Sequence, residues 1–205
     1  MRQVFEQILK MPYYKNYAAA SGKVHNVANH EQAVEDILNL EGFQKVDRKV
    51  TKAARDEWIQ GATNDMENNT FVAQPCGTHN SPDFIIKHQD RLYFVECKSA
   101  AGSTSAPMYN SGIPNPGYIY VFSAQKYNGT TIYRGDDILP PAQYQRLKAH
   151  IENARRLDEE LSLNNSHGIG YYTRPMVTHA GGRRVTDYFT HPRRDELERR
   201  VLDSV

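Results

Sequence analysis

The sequence predicts an α/β fold in which a mixed central β-sheet is flanked by helices. Short runs rich in β-branched and aromatic residues alternate with stretches whose apolar residues recur at helical spacing. Residues 118–123 (YIYVFS) are almost continuously apolar, which is typical of a strand buried on both faces. The chain has 205 residues, of which 39% are hydrophobic and 24% charged, so we expect one globular domain over residues 1–205.

Helix boundaries are marked by capping residues. Asn29 is predicted to be the N-cap of a helix whose apolar positions run to Leu40, and Gly42 is predicted to end it. Residues 51–60 also favour a helix. A long helix is predicted to begin at Pro140-Pro141, and a terminal helix at residues 192–202. Two further strands are expected, at residues 43–50 and, as an edge strand, at 130–134.

Residues 81–99, SPDFIIKHQDRLYFVECKS, are predicted to form a β-hairpin with strands at 83–87 and 92–98. If the chain reverses between Gln89 and Asp90, Glu96 faces Asp83. Two carboxylates at facing positions, with Cβ atoms about 5 Å apart, destabilise a sheet unless a positive charge lies between them. The pattern therefore indicates a cation at the open end of this hairpin.

The residue types at this end of the hairpin favour a hard divalent cation, Mg²⁺ before Zn²⁺. Asp83 and Glu96 are the predicted ligands, and the backbone carbonyl of Cys97 is a further candidate. Lys98 shares a strand face with Glu96. Lys98 would lie beside a cation-bound water, which becomes a nucleophile near neutral pH. Asp83, Glu96 and Lys98 are therefore the candidate catalytic residues; the alternative is a solvent-exposed hairpin end tied by a salt bridge from Lys98.

The cysteines leave a zinc alternative open. Cys76 and His79 have C-x-x-H spacing, and Cys97 and His88 would be the remaining ligands. Against this, a convincing zinc site has two ligand pairs at regular spacing. We expect both cysteines to be reduced, because no secretion signal or membrane span is apparent and a soluble, cytoplasmic protein is predicted.

The motif Pro82-Asp83, followed after twelve residues by Glu96-Cys97-Lys98, resembles the signature of the PD-(D/E)xK nuclease superfamily. In its size and its lack of companion motifs the chain is most similar to type II restriction endonucleases. The resemblance implies a restriction-endonuclease-like core at about residues 29–123. It also implies Mg²⁺-dependent hydrolysis of double-stranded DNA, and a homodimer if the cut site is palindromic. Residues 140–205 would then serve packing, DNA contact or dimerisation.

Many members of this superfamily add an acidic residue from a helix that precedes the sheet. Glu31, Glu35 and Asp36 are the candidates here. Glu31 lies nearest the apolar face of the predicted helix and is chosen as a further metal ligand. The alternative is an exposed carboxylate at the helix start, where the helix dipole favours negative charge.

DNA contacts are predicted at two places. The stretch 99–117 is long and rich in small residues for a connection between core strands, and it contributes Ser103, Tyr109, Asn110 and Ser111. The Gly-Gly-Arg-Arg turn contributes Arg183 and Arg184. Because the formal net charge is only +1, such basic groups must be segregated onto one face. Open alternatives are a repair or junction nuclease, a non-catalytic nucleic-acid-binding module, or a metal hydrolase of small phosphoesters.

Overall fold

A computed structural model describes residues 1–16, 29–48, 57, 61, 65–77, 80–103, 106–109, 112–163, 168 and 188–205. It has a mixed α/β architecture in which helices flank a six-stranded mixed sheet, as predicted. The strands are β1 (Gln44–Lys45), β2 (Thr70–Ala73), β3 (Phe84–His88), β4 (Arg91–Ala100), β5 (Tyr118–Ala124) and β6 (Gly129–Arg134). The helices are α1 (Arg2–Lys10), α2 (His30–Leu40), α3 (Gly135–Ile138), α4 (Pro141–Leu163) and α5 (Arg194–Ser204).

The strands lie in the sheet in chain order. β2, β3 and β4 form an antiparallel meander, β1 joins it in parallel, β5 runs parallel to β4, and β6 returns antiparallel to β5. Ile85 pairs with Phe94, which is the predicted hairpin register. Gln89 and Asp90 both have positive φ, 49° and 58°, as the two-residue turn of a hairpin requires.

Alternation along β4 divides the core between the two faces of the sheet. Val95 and Cys97 pack with α1 and α2, whereas Phe94 faces the other side. Every residue of β5 is buried, which confirms the prediction of a strand covered on both faces. β6 is the edge strand after β5, also as predicted.

α2 has the predicted boundaries. The Asn29 side chain accepts a hydrogen bond from the Gln32 backbone N–H at 2.8 Å, and Gly42 takes a φ of 85° just after the helix. α4 begins at the predicted proline pair, and the terminal helix begins at Arg194 rather than residue 192. No helix of the described residues is both long and apolar enough to cross a bilayer.

Several elements differ from the sequence prediction. α1 was not expected, yet Val4, Phe5 and Ile8 are buried in the core. β2 was not expected either, and the strand predicted at 43–50 shrinks to Gln44–Lys45. The two strand differences arise from tertiary pairing, because strands of two and four residues are stable only when they hydrogen-bond to neighbouring strands. The helix predicted at 51–60 falls almost wholly outside the described residues.

Candidate functional site

Asp83 and Glu96 lie side by side at the open end of the β3–β4 hairpin. Phe84 pairs with Val95, so the residue before β3 comes next to Glu96. The Cys97 backbone N–H donates a hydrogen bond to Asp83 Oδ2 at 2.7 Å, which fixes that carboxyl against β4. Both acidic side chains are buried, with residue exposures of 8% for Asp83 and 3% for Glu96.

Burial of two carboxyl groups together makes both of them hard to ionise. Burial, with the neighbouring Glu96 as the next cause, raises the pKa of Asp83 to about 8, although the Cys97 hydrogen bond opposes the shift. Burial also raises the pKa of Glu96, and Lys98 opposes that shift. Lys98 Nζ donates to Glu96 Oε1 at 2.6 Å, so one ammonium faces two acidic groups.

One oxygen of this cluster lacks a partner. Glu96 Oε2 is fully buried and has no hydrogen-bond partner in the structure. A buried polar atom in this condition costs free energy, and a carboxylate oxygen beside a second carboxyl is a site that a cation would satisfy. The unpartnered oxygen is therefore free to accept a ligand or a donor.

The donor set suits a hydrated hard cation. In the part of the chain that is described, no three His, Cys, Asp or Glu side chains converge as a ready-formed metal cage. Mg²⁺ does not require one, because it keeps several waters and is commonly bound through one or two carboxylates. Asp83 and Glu96 supply those carboxylates, and both are hard oxygen donors.

The Cys97 backbone borders the same space. In a β-strand, the N–H and the C=O of one residue point toward the same neighbouring strand. The Cys97 N–H donates to Asp83, the residue directly before β3. The Cys97 carbonyl therefore faces the side on which Asp83 lies. Burial lowers the pKa of His30, and the neighbouring Cys97 backbone opposes that shift. His30 Nε2 is buried without a partner.

Glu31 is the acidic residue of α2 that comes close to the pair. Its negative charge contributes to raising the pKa of both Asp83 and Glu96. Glu35 instead binds Lys45 Nζ at 2.9 Å, and Asp36 accepts from the Gln32 side chain at 3.0 Å. Of the three candidates, Glu31 is thus the one whose charge acts on Asp83 and Glu96.

Gln74 joins Glu31 to the hairpin. Its Nε2 donates to Glu31 Oε2 at 2.9 Å, and its backbone N–H donates to the Asp83 carbonyl at 2.6 Å. Sequence reasoning missed both Gln74 and His30. His30 had one available signal, its place directly before Glu31, whereas Gln74 had none because the strand that delivers it, β2, was not predicted.

Two of the predicted DNA-contact residues, Ser103 and Tyr109, lie among the described residues. Tyr109 is only 2% exposed, and its hydroxyl lies 3.1 Å from that of Tyr133, so it anchors the β4–β5 connection in the core. This position does not fit a base contact by its side chain. Ser103 is exposed just after β4. Four predicted contact residues lie outside the described residues: Asn110, Ser111, Arg183 and Arg184.

The described residues of the zinc alternative do not come together. His88 and Cys97 lie at opposite ends of the hairpin, six strand residues or roughly 20 Å apart, counting from the His88–Arg91 pair. His88 Nδ1 is 2.6 Å from Asn69 Oδ1, and burial raises the pKa of the Cys97 thiol well above its ordinary value. A protonated thiol is a poor zinc ligand. Cys76 is buried and reduced, and His79 lies outside the described residues.

Comparison of the chain with protein-family models, with curated proteins and with solved structures found no match. The site itself, rather than similarity to known proteins, is therefore the basis for a functional proposal. The buried acidic pair, the unpartnered carboxylate oxygen and the adjacent ammonium are the features to explain.

Proposed function

We propose that this protein is a Mg²⁺-dependent, sequence-specific DNA endonuclease with a restriction-endonuclease-like core. The observation that carries the proposal is the buried, unpartnered Oε2 of Glu96 beside Asp83. An acidic pair placed in the interior without a cation is destabilising, and its persistence is easiest to understand as a binding site.

The acidic residues would bind the cation, and Lys98 would stabilise negative charge on the phosphate. Asp83 and Glu96 would hold the cation, with Glu31 and the Cys97 carbonyl as further donors. When bound, Mg²⁺ would polarise a phosphate oxygen and lower the pKa of a water. The Lys98 ammonium, 2.6 Å from Glu96, can donate to a phosphate oxygen and offset the negative charge that develops there.

Hydrolysis would proceed by direct attack of water, without a covalent intermediate. Double-stranded DNA is proposed as the substrate on the strength of the Pro-Asp and Glu-x-Lys motif. Cleavage at a palindrome would require a homodimer, because two-fold sites mirror two-fold proteins. We place such an enzyme in a restriction–modification setting in the cytoplasm.

The Lys98–Glu96 ion pair supports a second candidate, a non-catalytic nucleic-acid-binding module in which the acidic cluster is structural. Such a module would shift DNA in a gel without Mg²⁺-dependent nicking. A repair or junction nuclease would cleave, but would give a smear or cut only branched DNA. These three outcomes separate the candidates.

The decisive experiment is digestion of a long DNA of known sequence with Mg²⁺, followed by sequencing of the fragment ends. We expect discrete fragments from the wild-type protein and, within the same digestion time, none from Asp83→Ala, Glu96→Ala or the much slower Lys98→Ala. Asp203→Asn, which alters an exposed surface carboxylate paired with Arg2, is the control and should cut normally. Wild-type rates from Asp83→Ala would refute the proposal.

A further inference from the structure

Gln74 occupies an unusual backbone position at the end of β2. Its φ is 46°, in the left-handed region that residues other than Gly, Asn and Asp rarely adopt. Glycine would take this conformation without steric cost. What a glycine could not supply is the side-chain amide, so the contacts of that amide are the feature that would offset the strain.

Those contacts join Glu31 of α2 to Asp83 at the open end of the hairpin. The amide Nε2 holds Glu31 Oε2 at 2.9 Å, and the backbone N–H holds the Asp83 carbonyl at 2.6 Å. One residue thus spans from the first turn of α2 to the residue before β3.

The charge balance makes this link more than a packing contact. Glu31, in the first turn of α2, has the same charge as Asp83 and Glu96 whenever these carboxylates are ionised, and like charges repel. A carboxylate at the start of a helix can relieve such repulsion by rotating toward water. The Gln74 amide offers Glu31 a hydrogen-bond donor within the protein, which opposes that rotation.

We infer that Gln74 is a positioning residue that holds Glu31 and Asp83 at a fixed separation for cation binding. The inference rests on the proposed cation site and not on DNA cleavage. Gln74 acts through Glu31, because its own amide oxygen needs no contact with the cation. Partners of this kind typically change metal affinity by about 10- to 100-fold when they are removed.

The test is Gln74→Gly, which relaxes the backbone and deletes only the amide. Asn69→Gly is a matched control at the other end of β2. Asn69 also has a positive φ, 60°, its N–H donates to the Lys87 carbonyl, and its side chain contacts His88. The readouts are Mg²⁺ affinity of the DNA-free protein by titration calorimetry, melting temperature, and kcat and KM for DNA.

We expect Gln74→Gly to weaken Mg²⁺ binding about tenfold and to lower kcat while leaving KM for DNA unchanged. Asn69→Gly should match the wild type in Mg²⁺ affinity, kcat and KM. In a Glu31→Ala background the Gln74→Gly change should have no further effect on Mg²⁺ affinity, because its target is gone.

Wild-type Mg²⁺ affinity in Gln74→Gly, an equal loss in Asn69→Gly, or an undiminished effect in the Glu31→Ala background would each overturn the inference. If the wild-type protein binds Mg²⁺ through Asp83 and Glu96 but cleaves no DNA, the nuclease proposal fails and the role of Gln74 stands. If the protein cleaves DNA and Gln74→Gly binds Mg²⁺ normally, the nuclease proposal stands and the role of Gln74 fails. A wild-type protein that bound no Mg²⁺ would overturn both.

Discussion

Replacing Asp83 by Asn should make the Mg²⁺-free protein more stable at pH 8. The asparagine Oδ1 can still accept the 2.7 Å hydrogen bond from the Cys97 N–H, so the local geometry survives. What disappears is the carboxylate charge beside Glu96, which burial makes costly. The substitution thus isolates the charge from the hydrogen bond.

The magnitude follows from proton linkage. The pKa of Asp83 is about 8 in the folded protein against an ordinary value of 3.8, so between these values the folded state holds a proton that the unfolded chain has released. The stability that this proton provides is fully present below pH 4 and is lost as the pH rises toward 8. The loss amounts to at most about 1.4 kcal/mol per pH unit.

Asn does not titrate, so the variant lacks this loss. The difference in free energy of unfolding between Asp83→Asn and wild type should grow by about 2–3 kcal/mol from pH 6 to pH 8. For a chain of this size that is a relative rise in melting temperature of about 5–10 °C. Titrating groups far from Asp83 affect both proteins alike and cancel in the difference, whereas Glu96 interacts with Asp83 and does not cancel completely.

The assay is urea and thermal unfolding followed by far-ultraviolet circular dichroism at pH 5, 6, 7 and 8, with a chelator present. Asp203→Asn is the control, because its side chain is 61% exposed and its charge should change stability little at any pH. A difference between Asp83→Asn and wild type that stays constant from pH 5 to pH 8 would refute the assignment of a buried carboxyl with a raised pKa.

Further predictions concern metal response, charge and packing. Mg²⁺ at 100 times its dissociation constant should stabilise the wild type by about 2.7 kcal/mol, measured by thermal shift at pH 8, and should leave Asp83→Asn unaffected. Lys98→Ala should keep a Mg²⁺-dependent thermal shift while its cleavage rate falls about 10²- to 10³-fold in single-turnover assays. Tyr109→Ala should lower the free energy of unfolding by about 3–5 kcal/mol in urea, because a buried ring is lost.

Each of these has a contrary result. An equal Mg²⁺ response from Asp83→Asn would place the cation elsewhere. Loss of the Mg²⁺ response in Lys98→Ala would make the lysine a support for the acidic pair rather than a group that meets phosphate. A Tyr109→Ala variant as stable as wild type would mean that the β4–β5 connection is not anchored by this ring.

Local sequence patterns determined the helix ends, the hairpin register and the buried strand, because each of these depends on a few neighbouring residues. Asn29 and Gly42 bound α2 because an N-cap and a left-handed glycine act within one helical turn. The hairpin register, and with it the approach of Asp83 to Glu96, follows from a two-residue turn and strict alternation of side chains. The strand from Tyr118 to Ala124 was evident from its apolar run.

Tertiary structure alone decided the rest. α1 is short and β2 has four residues, so neither has enough local signal, and both are stabilised by burial against distant elements. Gln74 reaches Glu31 across 43 positions of the chain, and Tyr109 is buried by residues at least eleven positions away, such as Tyr120 and Tyr133. Such contacts depend on how the elements pack. They join residues that are distant in the chain, so they produce no recurring spacing in the sequence.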